Sequence, residues 1–266
     1  MATYPRYRYE KLFPSELRRL VRERPIAYMG LGPLEWHGEH LAFGTDPARA
    51  SALVEALWRH EGGALLPPLH LGIDIEQQRD GETLRGMETF AGMRLPGSIL
   101  IDEAPFSALL EGMASSLERN GFALLVLCTG HLAGKQVAAL QALAEARRSY
   151  PLAVLAWPPA GLSWPKALCP PGSGHAGVDE ACEMAFLRPS AVRPRLMGSA
   201  EGDRRVDLLP ERGSAIRSSL GRARFRWELG QLREAFLEAL DQRKRSVPPR
   251  SSKLSSDNSP PTVLRT

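Results

Sequence analysis

Phe122-Ala123-Leu124-Leu125-Val126-Leu127-Cys128, followed at once by Thr129-Gly130-His131, is the run that sets the fold. It is apolar on both faces, as a strand in the middle of a parallel sheet must be when helices cover it above and below. Upstream, the segment from Ile101 to Asn120 places Phe106, Leu109, Leu110, Met113 and Leu117 at helical spacing, and Gly121 ends it. Downstream, a helix is expected from about Lys135 to Tyr150, broken by Pro151, and then a buried strand over Leu152–Trp157. Nearer the N-terminus, a short helix (Pro14–Val21) ends before Pro25, and a strand follows at Ile26–Leu31. A helix over Asp46–His60 carries Ala50, Leu53, Val54, Leu57 and Trp58 on one stripe. Ala64-Leu65-Leu66 reads as a short strand stopped by Pro67-Pro68, and His70–Pro96 as a glycine-rich, aperiodic functional loop. Helices near Val178–Phe186 and Trp227–Leu240 complete the chain, with an Arg/Pro/Gly-rich stretch between them. Strand and helix alternating at this pitch predict an α/β fold, a three-layer α/β/α sandwich with a mostly parallel central sheet.

At 266 residues the chain can bury one sizeable core. A single domain over 1–244 and a basic, Ser/Pro-rich, disordered tail over 245–266 are expected. The net charge of +4 belongs to the tail region, because Arg243, Lys244, Arg245, Arg250, Lys253 and Arg265 face only Asp257. The body is close to neutral and offers no electrostatic footprint for nucleic acid. Cys128, Cys169 and Cys182 are odd in number and widely spaced, which argues against a disulfide frame or a thiolate zinc site. No apolar run approaches the roughly 20 residues that span a bilayer, and the first residues lack the apolar core of a signal peptide. No membrane partner is expected, and the cytoplasm is the expected compartment.

Three polar clusters sit where open α/β sheets place ligands, at the carboxyl ends of strands. The first is Leu34-Glu35-Trp36-His37-Gly38-Glu39-His40-Leu41 with Gly44-Thr45-Asp46, directly after the Ile26–Leu31 strand. Glu35 and His37 are two apart, so on extended backbone they point the same way, and Asp46 returns at the start of the next helix. That arrangement is half of a divalent-metal shell; the alternative is a loop of ordinary solvated side chains. His131, in the second cluster, leaves the neighbouring strand end within reach of Glu35, His37 and Asp46, although a lone His is often structural. The third is Ser173-Gly174-His175-Ala176-Gly177 with Asp179-Glu180. Asp179 reads as N-terminal helix stabilisation, whereas Glu180 fits that role and a site role equally.

With those residues in view, the chain resembles the creatininase family of metal-dependent amidohydrolases. The family's first motif, E-x-H-G-x-H-L-x-x-x-T-D, is matched by Glu35, His37, Gly38, His40, Leu41, Thr45 and Asp46 at identical spacing. The second, N-G-H-G-G-N, corresponds to Thr129-Gly130-His131-Leu132-Ala133-Gly134, with both Asn lost and glycine lost after the His. The third, H-A-G-x-x-E-T-S, is matched by His175-Ala176-Gly177-Val178-Asp179-Glu180, with Ala181-Cys182 in place of Thr-Ser, and Pro96-Gly97-Ser98 echoes the family's P-G-T. The resemblance covers roughly Arg8 to Pro189. It implies that Asp46 bridges two metals, Glu35 and His131 hold one, His37 holds the other, and His175 and Glu180 serve catalysis. Some members carry a further metal-binding Glu two residues after the second motif's His; here that position is Ala133. The second metal would then rest on His37, Asp46 and Glu180, or be absent.

The resemblance further implies hydrolysis of a C–N bond in an amide, cyclic amide or formamide of a small molecule or peptide, by a metal-activated water. The implied cofactor is a divalent ion, zinc first, with manganese or iron(II) as alternatives, at one or two ions per chain. A homo-oligomer is expected on the same ground. Relatives often carry a Ser and a His where this chain has Ile73-Asp74-Ile75-Glu76-Gln77, which argues against creatinine as substrate. Trp157 and Trp164 are candidates for the pocket wall, Trp157 equally for the core. The rival expectation is a non-catalytic relative that keeps the scaffold with one metal or none and binds a metabolite or a partner protein.

Overall fold

The apolar run becomes β6 (Leu124–Thr129), every residue of which is buried. It pairs in parallel with β2 (Ile26–Leu31) on one side and β7 (Ala153–Trp157) on the other. Outside β2 lies β3 (Gly63–Leu65), and β1 (Arg6–Arg8) closes that edge, giving a parallel sheet in the order β1-β3-β2-β6-β7. The structure is a computed structural model and describes residues 4–73, 75–92, 94–95, 97–198 and 215–246. The edge strand β1 is short and arginine-bearing, a composition that discourages pairing with another sheet.

Side chains alternate along each strand, and the two resulting sets are covered by different helices. Leu125 and Leu127 of β6, with Ala27 and Met29 of β2, meet α1 (Pro14–Glu23), α4 (Glu103–Arg119) and α5 (Gly134–Ala146) through Leu20, Phe106, Leu110 and Leu140. Leu124, Val126 and Cys128, with Ile26 and Tyr28, meet α2 (Thr45–Glu61) and α7 (Ser218–Ser246) through Leu53, Val54, Leu57, Leu232 and Phe236. A further helix, α6 (Val178–Leu187), packs on α7 and α2. The three-layer sandwich expected from the sequence is therefore present.

Besides the edge strand β1, which the sequence does not announce, two regions depart from expectation. Within His70–Pro96 an antiparallel hairpin, β4 (Glu76–Arg79) and β5 (Glu82–Arg85), precedes a single helical turn, α3 (Glu88–Ala91). Its turn, Asp80-Gly81, has positive φ at both residues (52° and 83°), the conformation that favours Asp-Gly in two-residue hairpins. The strands carry almost no apolar alternation, which is why no strand pattern is visible there. The other departure is α7, which begins at Ser218 rather than near Trp227 and runs to Ser246, past the expected start of the tail. Gly221 allows this extension, since a Cβ there would lie 1.9 Å from the Cys182 carbonyl oxygen of α6. The rest of the tail expected over 245–266, from residue 247 on, lies outside the described residues. No helix among the described residues is long and apolar enough to cross a membrane.

The arrangement that matters for function is at the carboxyl ends of β2 and β6. These strands pair through Leu31 and Thr129, so the segments that follow leave the sheet side by side. The N-terminus of α2 presses onto both ends. A Cβ on Gly32 would lie 2.8 Å from Cβ of Asp46, and one on Gly130 would lie 2.1 Å from the Asp46 carbonyl oxygen.

Candidate metal centre

Glu35, His37 and Asp46 are among the most buried polar residues of the chain, at 2%, 1% and 2% exposure. The loop that carries the first two is fixed by backbone hydrogen bonds. Glu35 N–H donates to Phe43 O, Ile99 N–H to Leu34 O, and Ala42 N–H to Ala191 O. Thr45 Oγ1 donates to Ala42 O, which sets the start of α2 and with it Asp46. His40 is a clasp: its Nε2 lies 2.9 Å from Ala176 O and ties this loop to the one bearing His175.

At the end of β6, Thr129 Oγ1 accepts from His131 N–H and from Gln136 Nε2, and Gln136 Oε1 accepts from Ile73 N–H. This chain of bonds sets the backbone of His131 against the first cluster. His131 Nδ1 lies 2.9 Å from Glu35 Oε2 and 3.3 Å from Asp46 Oδ2. On the other side of the same carboxylate, His37 Nε2 lies 3.3 Å from Asp46 Oδ1 and 3.7 Å from Glu180 Oε2. Asp46 thus turns one oxygen to each of two groups of potential ligands, Glu35–Asp46–His131 and His37–Asp46–Glu180.

These close approaches are not ordinary hydrogen bonds. Glu35 Oε2, His37 Nε2 and Asp46 Oδ2 are buried and without hydrogen-bond partners, although each lies within 3.7 Å of another polar atom. Leaving such atoms unpaired in an interior is costly. Lone pairs aimed at a common point explain the geometry. With metal–ligand bonds of about 2.0–2.1 Å, ligand atoms at the corners of a tetrahedron lie about 3.3 Å apart, which matches the spacings seen. His37 Nδ1 lies 2.9 Å from the Glu35 carbonyl oxygen, so that nitrogen carries the proton and Nε2 is left with its lone pair, the outer bond usual for a metal-binding imidazole. The residues therefore fit a divalent ion.

The electrostatics agree. Burial opposes charge on both imidazoles, yet the Asp46 carboxylate beside His37 holds it up at about 9, and Asp46 and Glu35 hold His131 up at about 10. Burial likewise opposes charge on Asp46, but the two imidazoles keep it well below the usual carboxylate range. The field at this point favours positive charge, which a dication supplies as the imidazoles give up their protons.

His175 stacks against His37, ring centroids 4.3 Å apart, with Nε2 2.8 Å from the Trp36 carbonyl oxygen and Nδ1 3.9 Å from Glu35 Oε2. Burial and the neighbouring His37 push its pKa down, so its ring is neutral near pH 7. Glu180 lies in the first turn of α6, where burial lifts it to about 7 against the pull of Arg49 and His37. Asp179 accepts from Gly174 N–H and pairs with Arg224 at 3.0 Å, a structural role.

All six predicted site residues line or adjoin a cavity of about 530 Å³ whose walls include Ile73, Ile75, Met87, Leu132 and Trp164. Trp157 is instead core, its Nε1 donating to Glu228 Oε1 at 3.0 Å. Sequence reasoning missed the ionic layer beneath the site. Arg49 pairs with Glu180 (2.7 Å) and Glu183 (2.5 Å), and Arg224 pairs with Glu183 (2.8 Å) and Asp179. The one signal in the sequence was spacing, since Arg49 falls three residues after Asp46 and Glu183 three after Glu180, so each shares a helix face with a site residue.

A family model described as creatinine amidohydrolase (creatininase) matches residues 10–234. The creatinine amidohydrolase of Pseudomonas putida is 26% identical over 106 residues, 40% of this chain, and the chain spans 37% of the length of that curated relative. Two solved structures share the fold. One is a manganese creatininase, with a TM-score of 0.56 and 20% identity over 92% of this chain and 100% of that one. The other is a mutant creatininase of Zn–Zn type, with a TM-score of 0.59 and 21% identity over the same shares. A carboxylate shared between two ligand groups at the ends of β2 and β6, on a parallel three-layer scaffold that the family model spans almost throughout, places this chain in the creatininase family.

Proposed function

We propose that the chain is a metal-dependent amidohydrolase that cleaves the C–N bond of an amide, cyclic amide or formamide in a small molecule or peptide. The observation that carries this reading is the Asp46 carboxylate, buried, with one oxygen turned to each of two ligand groups at a cavity floor. Glu35, Asp46 and His131 would hold one ion, and His37, Asp46 and Glu180 are the residues available to a second. Zinc suits the mixed imidazole and carboxylate donors, with manganese as the alternative; relatives of this fold are described with each. A divalent ion here supplies Lewis acidity toward a carbonyl and acidifies a water to near neutrality.

The chain's own contribution is proton handling and placement of the carbonyl. With Nε2–H donating to Trp36 O, His175 presents an Nδ1 lone pair to the centre. A neutral imidazole so placed accepts a proton from the attacking water and returns it to the leaving nitrogen. Glu180, anchored by Ala176 N–H and Arg49, fixes His37 from the opposite side. Ile73, Ile75, Met87 and Leu132 make part of the cavity wall apolar, so a substrate carbonyl finds its polar partners among the ligand groups.

The test is elemental analysis of the purified protein and of Asp46→Ala, followed by a screen of lactams, formamides and short peptide amides with zinc or manganese restored. The parent should hold metal and hydrolyse at least one member of the panel, and the variant should lose both. An Asp46→Ala protein that keeps its metal and its activity overturns the reading. The rival, a non-catalytic binder, is favoured by Ala133 standing where relatives place an acid; it predicts a metal-loaded protein inert toward the whole panel.

A further inference from the structure

The two ligand groups around Asp46 are not equivalent. Each group holds a buried atom without a hydrogen-bond partner, but the first is tighter: Glu35 Oε2 and Asp46 Oδ2 lie 2.9 and 3.3 Å from His131 Nδ1. In the second, both oxygens of Glu180 are already engaged. Its Oε1 takes Arg49 Nη1 at 2.7 Å and its Oε2 takes Ala176 N–H at 2.8 Å, leaving His37 Nε2 at a longer 3.7 Å. Arg49 is 5% exposed and is locked in place by Glu183 at 2.5 Å and Gly130 O at 3.4 Å, so it cannot swing away.

Charge counting sharpens the difference. A dication at the first group meets Glu35 and Asp46, two carboxylates, and is neutralised. At the second group Asp46 is shared with the first ion, and Arg49 and Arg224 together face Asp179, Glu180 and Glu183, so only about one uncancelled negative charge remains there. Ala133, half-buried on the cavity wall two residues after His131, adds nothing. A second dication would meet less compensating charge than the first and would stand beside a fixed guanidinium, an arrangement disfavoured by desolvation and by repulsion.

We infer that Arg49 is a built-in cation that takes the place of the second metal ion: this chain binds one divalent ion tightly, at Glu35, Asp46 and His131, and a second only weakly. The inference rests on the metal reading above and concerns which of the two ligand groups is used.

The experiment is a zinc titration of the chelator-stripped full chain, read as bound ions per chain by indicator competition and by elemental analysis after desalting. Alongside the parent run Arg49→Gln, Arg49→Lys and Ala133→Glu. The parent should retain one ion, with any second at least about 100-fold weaker. Ala133→Glu, which restores an acid on the cavity wall without touching the ionic layer, should bring a second ion to within about 10-fold of the first. Arg49→Gln should strengthen the second ion in the same direction and Arg49→Lys should not. Should the Arg49 variants fail to fold, Ala133→Glu decides alone. Two ions of comparable affinity on the parent overturn this inference and leave the metal reading standing; no bound ion on the parent overturns both. An unchanged stoichiometry in Ala133→Glu also overturns it.

Discussion

Gly130→Ala should damage this protein out of proportion to the single methyl group added. Gly130 has no left-handed φ, so alanine is acceptable to its backbone and only space is at issue. A Cβ there would lie 2.1 Å from the carbonyl oxygen of Asp46, 2.7 Å from its carbonyl carbon and 2.8 Å from its Cα, all backbone atoms of the central ligand. Ordinary contact begins at 3.4 Å, so roughly 1.3 Å must be found by moving the start of α2 off the sheet or bending the end of β6. Overpacking of this kind costs about 2–3 kcal/mol, which lowers the melting temperature by about 4–12 °C for a domain of this size. Metal geometry tolerates displacements of only about 0.2 Å, so zinc affinity should fall by about 10- to 100-fold, the loss typical when a ligand's support is disturbed. Thermal unfolding in chelator gives the first quantity and indicator competition the second. Gly112→Ala, on α4 with nothing within 4 Å of the new methyl, is the control and should be neutral or stabilising by up to about 1 kcal/mol. A Gly130→Ala protein with the parent's melting temperature and the parent's zinc affinity would refute the account of how α2 presents Asp46.

Other expectations follow from single contacts. Glu228 is buried and accepts from Trp157; burial, reinforced by Glu183, lifts its pKa from 4.5 to about 7. The folded state therefore holds a proton that the unfolded chain loses first, and stability contributed by this group falls as pH rises from about 4.5 to 7. Glu228→Gln should be more stable than the parent at pH 8, by up to about 3 kcal/mol, with the gap closing toward pH 4.5; denaturant melts across that range that run parallel would count against it. His175→Ala should keep its zinc affinity within a few-fold while kcat on a reactive amide drops about 10²- to 10⁴-fold; an equal loss of metal would make His175 a ligand instead. Phe106→Ala, fully buried between α4 and the sheet, should cost about 3–5 kcal/mol in urea unfolding without altering metal stoichiometry.

The parts of this molecule that were legible in its sequence are those specified by local pattern. Leu124 to Cys128 read as a central strand because burial on both faces leaves no polar residue anywhere in the run. Glu35, His37 and Asp46 read as a ligand set because strand alternation and a helix start fix their directions over a few residues. The hairpin of β4 and β5 was hidden because its strands are solvated and so lack the alternation by which a strand is recognised, although Asp80-Gly81 marked its turn. The first residues of α7 were hidden for the opposite reason: Arg224 is buried there, and an arginine counts as polar in any periodicity. Arg49 is the most instructive case. On α2 it interrupts the apolar stripe and reads as a solvated position, yet at 5% exposure it lies one turn beyond Asp46, held by Glu180 and Glu183 from a helix more than a hundred residues away. A buried cation is tolerable only with its counter-charges, and those counter-charges are supplied by tertiary contact, which no window along the chain contains. The same contact that hides Arg49 from pattern reading ties up Glu180, so the feature hardest to foresee from sequence is the one that sets how many ions the centre can hold.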